Sequence, residues 1–181
     1  MRRLNLSDLL LLLIHAHDDK LEGRTLVQKL VYLLVNVVGK IQLSQRPRFR
    51  AGLYGPYSRD VASELSKLIA LDFLSETTET TSTGNLIYIY HMTKDGKEVV
   101  QEIVNKYQEE YELIKDFVDR IKHMKIDDLI AASKVHYIIE ENQQLLGNLE
   151  ALIRKAENYG WDIGLNEAKK GLEILRNLEN D

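Results

Sequence analysis

Residues 54–100 constrain the fold of this 181-residue chain more than any other stretch. Tyr54-Gly55-Pro56-Tyr57-Ser58 opens onto a helical pattern running to Leu71, with Val61, Leu65, Leu68 and Ile69 on its apolar face. Pro56 and Ser58 suit the start of that helix, Ser58 as its N-cap. After Asp72-Phe73-Leu74 comes the polar tip Thr80-Thr81-Ser82-Thr83-Gly84-Asn85. Leu86 to Tyr90 then alternates as a strand does, Tyr88 and Tyr90 on one face, Ile87 and Ile89 on the other. A partner strand is expected within residues 73–79, closing a β-hairpin. Met92-Thr93-Lys94-Asp95-Gly96 leads into a new helix. Helix, strand, polar tip, strand, helix is the order of a winged helix-turn-helix module.

The segment before it adds two helices. Leu4 to about His17 reads as the first, capped by Asn5 or Ser7. Residues 18–23 read as a loop, and Thr25 as the cap of a second helix with an apolar stripe at Leu26, Leu30, Val31, Leu33, Leu34 and Val38, ended by Gly39. Leu26, Leu30 and Leu33 should face the core, with Gln28 placed to bond the backbone of the 40–56 connection. That connection holds Arg46-Pro47-Arg48-Phe49-Arg50, the densest basic run in the chain.

Downstream, a single helix is expected from Lys94 to about Lys122. Val100, Val104, Tyr107, Tyr111, Ile114, Val118 and Ile121 fall at alternating spacings of four and three. That stripe suits either a homodimer seam or cover for the chain's own core. Helices follow over 126–140, 144–158 and 165–178, with Tyr159-Gly160-Trp161-Asp162 as a turn and Trp161 as an anchor for the last helix. The expected architecture is mainly α: a winged helix-turn-helix domain over residues 1–95 with a small hairpin wing, and a helical extension over 96–181.

Charge divides along the same line. Residues 1–70 hold 11 Lys and Arg against 6 Asp and Glu, and the remainder holds 13 against 22. A basic first half suits a surface turned toward nucleic acid, because duplex DNA is a dense line of phosphates. The candidate contacts are Arg46, Arg48, Arg50, Tyr57, Ser58, Arg59 and Lys67, with Arg2, Arg3, Arg24 and Lys29 nearby. Tyr54, Tyr88 and Tyr90 are candidates for base stacking or for packing. Against DNA reading, the outer face of the 59–70 helix carries Asp60, Glu64 and small residues rather than base-reading side chains.

Reactive chemistry finds little footing. There are no cysteines, which excludes disulfides, thiolate metal sites and cysteine nucleophiles. His15 and His17 point about 200° apart on a helix, so one metal ion does not reach both. Gly52-Leu53-Tyr54-Gly55 lacks the Lys-Ser/Thr of a phosphate-binding loop. No nucleophile–base–acid set assembles, so neither an enzyme nor a cofactor or metal site is expected. The apolar run Leu9–Ile14 is too short to span a bilayer, and a cytoplasmic, non-membrane protein is expected.

Two segments resemble known proteins. Gly23-Arg24-Thr25-Leu26-Val27-Gln28-Lys29-Leu30-Val31-Tyr32-Leu33-Leu34 resembles the G-R-x-x-L-Q-K-x-x-Y-x-L opening of the YwgA-like family. Tyr54-Gly55-Pro56-Tyr57-Ser58 with Leu71-Asp72-Phe73-Leu74 is similar to that family's Y-G-P-Y-S and L-x-x-x-G-F-L. The Panacea domain of SocA-like antitoxins is more distantly similar. The resemblance covers about residues 9–100 and implies a winged-helix-like fold. Many members of these families are described as regulators, and the Panacea proteins act as antitoxins or adaptors by binding a protein partner. With the winged order and the basic first half, the expected function is a regulator that binds double-stranded DNA, the 59–70 helix in the major groove and the wing tip and the 46–50 loop on phosphates; the alternative is a protein-binding module of the antitoxin or adaptor kind.

Overall fold

A computed structural model describes residues 3–179 of the protein. The Leu9–Ile14 run lies in helix α1 (Leu6–Ala16), and every one of its side chains is buried. A helix that is apolar on all sides must be covered on all sides, and α1 accordingly forms the axis of the fold. Asn5 caps it, its side chain accepting from the Asp8 N–H at 2.7 Å. Around it stand strand β1 (Lys20–Glu22), helix α2 (Arg24–Leu33), helix α3 (Arg59–Ala70), the hairpin strands β4 (Leu74–Thr80) and β5 (Leu86–Met92), and helices α4 (Lys94–Lys106) and α5 (Gln108–Ile121). Of these, α3, α4, α5, β1 and β5 touch α1 directly.

The hairpin forms where the alternation places it, with Glu76 opposite Tyr90 and Thr80 opposite Leu86. Its second strand also pairs antiparallel with β1, giving a three-stranded sheet in the order β1-β5-β4. The 18–23 segment is therefore a strand flanked by turns, not only a loop. Asp18 and Asp19 turn the chain into it with left-handed φ values of 57° and 62°. Helix α2 begins two residues earlier than a Thr25 cap allows; Gly23 precedes it at φ 101° and no side chain caps it. Beyond α2, residues 34–38 continue as one wider turn, the Gly39 N–H reaching back to the Leu34 carbonyl at 3.2 Å.

Residues 40–56 hold a second hairpin where the sequence suggests only a connection: β2 (Arg50–Gly52) pairs with β3 (Gly55–Tyr57) across the Leu53-Tyr54 turn. Pro56 thus lies in a strand, and α3 starts after it with Ser58 as cap. Asp72 follows α3 at φ 59°, taking the left-handed turn that a glycine often supplies.

The 94–122 helix is broken. At Tyr107 the backbone leaves helical geometry (φ −130°, ψ 51°), and both α4 and α5 then lie against α1. The Tyr107 ring is buried and its hydroxyl donates to the Arg3 carbonyl at 3.3 Å. Val100, Ile114, Val118 and Ile121 are likewise buried within the single chain, and Val104 and Tyr111 pack on the same core. The stripe thus packs within the single chain, the second of the two uses that its spacing suits.

Helices α6 (Ile126–Glu141), α7 (Leu149–Glu157) and α8 (Leu165–Glu179) make up the rest, with a short tight turn over 143–147. Helix α6 packs on α8, on α2 and on β3. One hydrophobic cluster runs from Leu4 to Leu178, so packing is continuous across residue 95. The fold is mainly helical with small antiparallel sheets. Among the described residues, no helix is long and apolar enough to cross a membrane.

Candidate functional site

Three polar residues interrupt the apolar pattern of α2, and all three reach across to the next layer. Gln28 is buried and grips the Ser58 backbone at both ends: its Nε2 donates to the Ser58 carbonyl at 3.0 Å, and its Oε1 accepts from the Ser58 N–H at 2.9 Å. Lys29, only 2 % exposed, donates from Nζ to the Pro56 carbonyl at 2.7 Å. Tyr32 shares a hydrogen bond with Nδ1 of His136 on α6 at 2.9 Å. Gln28 thus bonds the residue just beyond the 40–56 connection rather than the connection itself.

Gly55 makes the close fit work. It stands at φ 97°, and a Cβ there would lie 3.0 Å from Cγ of Lys134 and 3.3 Å from both Nζ of Lys29 and Oγ of Ser133. A side chain has neither the backbone freedom nor the space.

The β2–β3 hairpin is also held from the C-terminal half. Trp161 is buried and donates from Nε1 to the Gly52 carbonyl at 2.7 Å. Its ring stacks on Tyr159 at 4.8 Å and meets Tyr137 edge-on at 5.7 Å. Trp161 therefore ties the C-terminal helices to the hairpin, a role beyond anchoring the last helix.

This frame brings part of the basic set together. Arg48, Arg50, Arg59 and Tyr57 line one concavity of about 390 Å³ at the N-terminal end of α3, with Asp60 on its wall. All four are exposed. Asp60 accepts from the Arg48 backbone N–H at 2.8 Å, and the Arg48 guanidinium stands 4.0 Å from it. Arg46 and Lys67 line a neighbouring hollow of about 370 Å³. Both are already engaged: Arg46 donates to the Val35 carbonyl, and Lys67 pairs with Glu64 at 3.3 Å. Glu64 also accepts from the Ser7 hydroxyl.

Ser58 does not join this surface. It is fully buried, its hydroxyl accepts from the Val61 N–H at 3.4 Å, and its backbone belongs to Gln28. Its polar side chain serves the helix start, which is the commonest use of serine at that position. Lys29 is buried and leaves the basic set. Arg24 lies over the Tyr88 ring at 3.5 Å and pairs with Glu76 at 3.3 Å. Arg3 is exposed; Arg2 lies outside the described residues. Tyr54 and Tyr57 are exposed, whereas Tyr90 is buried and its phenol is pushed up to about 12, mainly by that burial. His15 bonds Asp19 at 2.7 Å and His17 bonds the Leu13 carbonyl at 2.9 Å. No group of three or more metal-ligating side chains occurs among the described residues.

A feature the sequence reading missed lies on the other side of Tyr57. A groove of about 480 Å³ runs between α2, α3 and the β2–β3 turn, lined by Val27, Leu53, Tyr54, Leu65 and Ile69 among others. At its lip Leu53 is 76 % exposed and Tyr54 58 % exposed. Lys29 also lines it, its amine lowered to about 7 chiefly by burial and then by the nearby positive charge of Lys134. A lysine set within the apolar run Val27–Leu34 is the signal that could have located this groove. Comparison with known proteins finds no family model that matches the chain and no curated protein that matches it.

Proposed function

We propose that the chain is a nucleic-acid-binding module of the winged-helix type, acting as a regulator without catalysis of its own. The observation that carries this reading is the convergence of Arg48, Arg50, Arg59 and Tyr57 in one exposed concavity at the start of α3. Several cations on one face are what phosphate backbones require, and an aromatic ring among them can meet a base or sugar. The element order α1, β1, α2, α3, β4, β5 with sheet order β1-β5-β4 supports the winged reading, as does the likeness of residues 23–34 and 54–74 to YwgA-like proteins.

On this reading the grip lies away from the wing. Residues 74–92 include Glu76 and Glu79 and no Lys or Arg. The tip hydroxyls of Thr81 and Thr83 bond each other at 2.9 Å. Binding on this reading comes from the β2–β3 hairpin and the first turn of α3. The triple variant Arg48→Ala, Arg50→Ala, Arg59→Ala should abolish salt-sensitive binding to a duplex in a low-salt shift assay. Absence of such binding by the wild type refutes the reading.

A second reading, a protein-binding module of the antitoxin or adaptor kind, is favoured by one observation: the exposed Leu53-Tyr54 turn. Affinity recovery separates the two. Loss of a single stoichiometric protein on Leu53→Ser with Tyr54→Ser, with the arginine variant unaffected, selects the second.

A further inference from the structure

The groove between α2, α3 and the β2–β3 turn has an electrostatic imbalance. Its lining holds the charged groups Arg24, Lys29 and Glu76. Arg24 and Glu76 pair with each other at 3.3 Å. Among the described residues Lys29 has no carboxylate partner: its one hydrogen bond there goes to the Pro56 carbonyl at 2.7 Å, and the charged neighbour that acts on it is another cation, Lys134 of α6. When protonated the amine carries three donors, and that buried charge without a counter-ion is costly. Apart from Thr25, Gln28 and Ser66, the remaining lining is glycine, aliphatic or aromatic, on a scale of hundreds of cubic ångströms suited to a small molecule.

We propose that this groove binds a small carboxylate with an apolar, ring-sized body, the carboxylate pairing with Lys29 and the body lying against Val27, Leu65 and Ile69. Such a ligand supplies the counter-charge that the protein omits and covers apolar surface at the Leu53-Tyr54 lip. Because Lys29 also holds Pro56, and Pro56 leads into α3, occupancy acts on the junction that presents Arg59 and Tyr57. This goes beyond the nucleic-acid reading and stands apart from it, since its test uses no nucleic acid.

The test compares 4-isopropylbenzoate with 4-isopropylbenzamide, two probes of nearly the same shape that differ in charge. In the full-length protein, titration followed by methyl NMR should move the Val27, Leu65 and Ile69 signals saturably, and calorimetry should show the carboxylate binding at least about tenfold tighter, as one charge-assisted hydrogen bond allows. Lys29→Met should remove the difference between the probes, and Ala62→Trp, which fills the groove while leaving Lys29 in place, should remove binding of both. Equal affinity of acid and amide for the wild type overturns the proposal, as do shifts confined to other methyls or no saturable shift. The wild-type comparison decides the matter even where a variant fails to fold.

Discussion

Replacing Gln28 by Ala tests how the start of α3 is held. The side chain makes two hydrogen bonds to one buried backbone unit, at 3.0 and 2.9 Å. Its removal leaves the Ser58 N–H without a partner in a place water does not reach, since Ser58 has no exposed surface, while the Ser58 carbonyl keeps the Ala62 N–H at 3.3 Å. One orphaned buried donor costs about 1–3 kcal/mol, and that is the expected loss. For a chain of this length that corresponds to a fall in Tm of about 2–12 °C. Urea unfolding followed by Trp161, the only tryptophan and a buried one, measures it. Gln28→Glu sharpens the test. Its first oxygen still accepts from the Ser58 N–H, but the second now faces the Ser58 carbonyl with no proton between them. The penalty should therefore shrink as pH falls and the carboxyl protonates, because the folded state then favours the neutral acid. A loss below about 1 kcal/mol for Gln28→Ala, or a Gln28→Glu penalty that does not respond to acid, refutes the clamp.

Two further outcomes follow from buried groups. The Lys29 amine is depressed from 10.5 to about 7 in the folded protein. Between those values the unfolded chain holds a proton that the folded chain has released, so stability rises with pH across that window. Relative to Lys29→Met, the wild type should gain a few kcal/mol between about pH 7 and 10, read by denaturant midpoints at each pH; a flat difference sinks the assignment. Val118→Asp places a charge in the core beside α1 and should cost on the order of 3 kcal/mol or more. The loss should be the same at low and high protein concentration, whereas a melting temperature that rises with concentration restores the dimer seam.

Much of the fold was legible because hydrophobic period and cap chemistry agree with it. Asn5 and Ser58 cap where their side chains suggest, and the alternation of residues 86–90 finds its partner in β4. The misses have a common cause: they are elements too short, or too well disguised, for a period to register. Strand β1 is three residues long and takes its stability from pairing with β5, a contact distant in sequence. Strands β2 and β3 lie in an arginine-rich stretch whose Gly and Pro read as a connection. The break at Tyr107 carries neither Gly nor Pro, and the four-and-three spacing runs on through it, because both halves bury the same face against α1. At the site, exposed arginines were found by charge alone. Ser58 and Lys29 were misplaced because residue type does not say which polar groups the fold buries.

The hairpin that presents Arg50 and Tyr57 has little stability of its own, since two strands of three residues are too few to stand alone. It is held on one side by Gln28 and Lys29 of α2, and on the other by Trp161 and the residues of α6 that pack on β3. The arginine-lined concavity therefore depends on both halves of the chain, although its residues all come from the first. The C-terminal helices are then part of the site's frame, not an appendage to it. On the proposed nucleic-acid reading their acidic character also acquires a physical role. A basic patch fixed to an acidic body is drawn to phosphates from one direction only, which orients the approach before any contact forms.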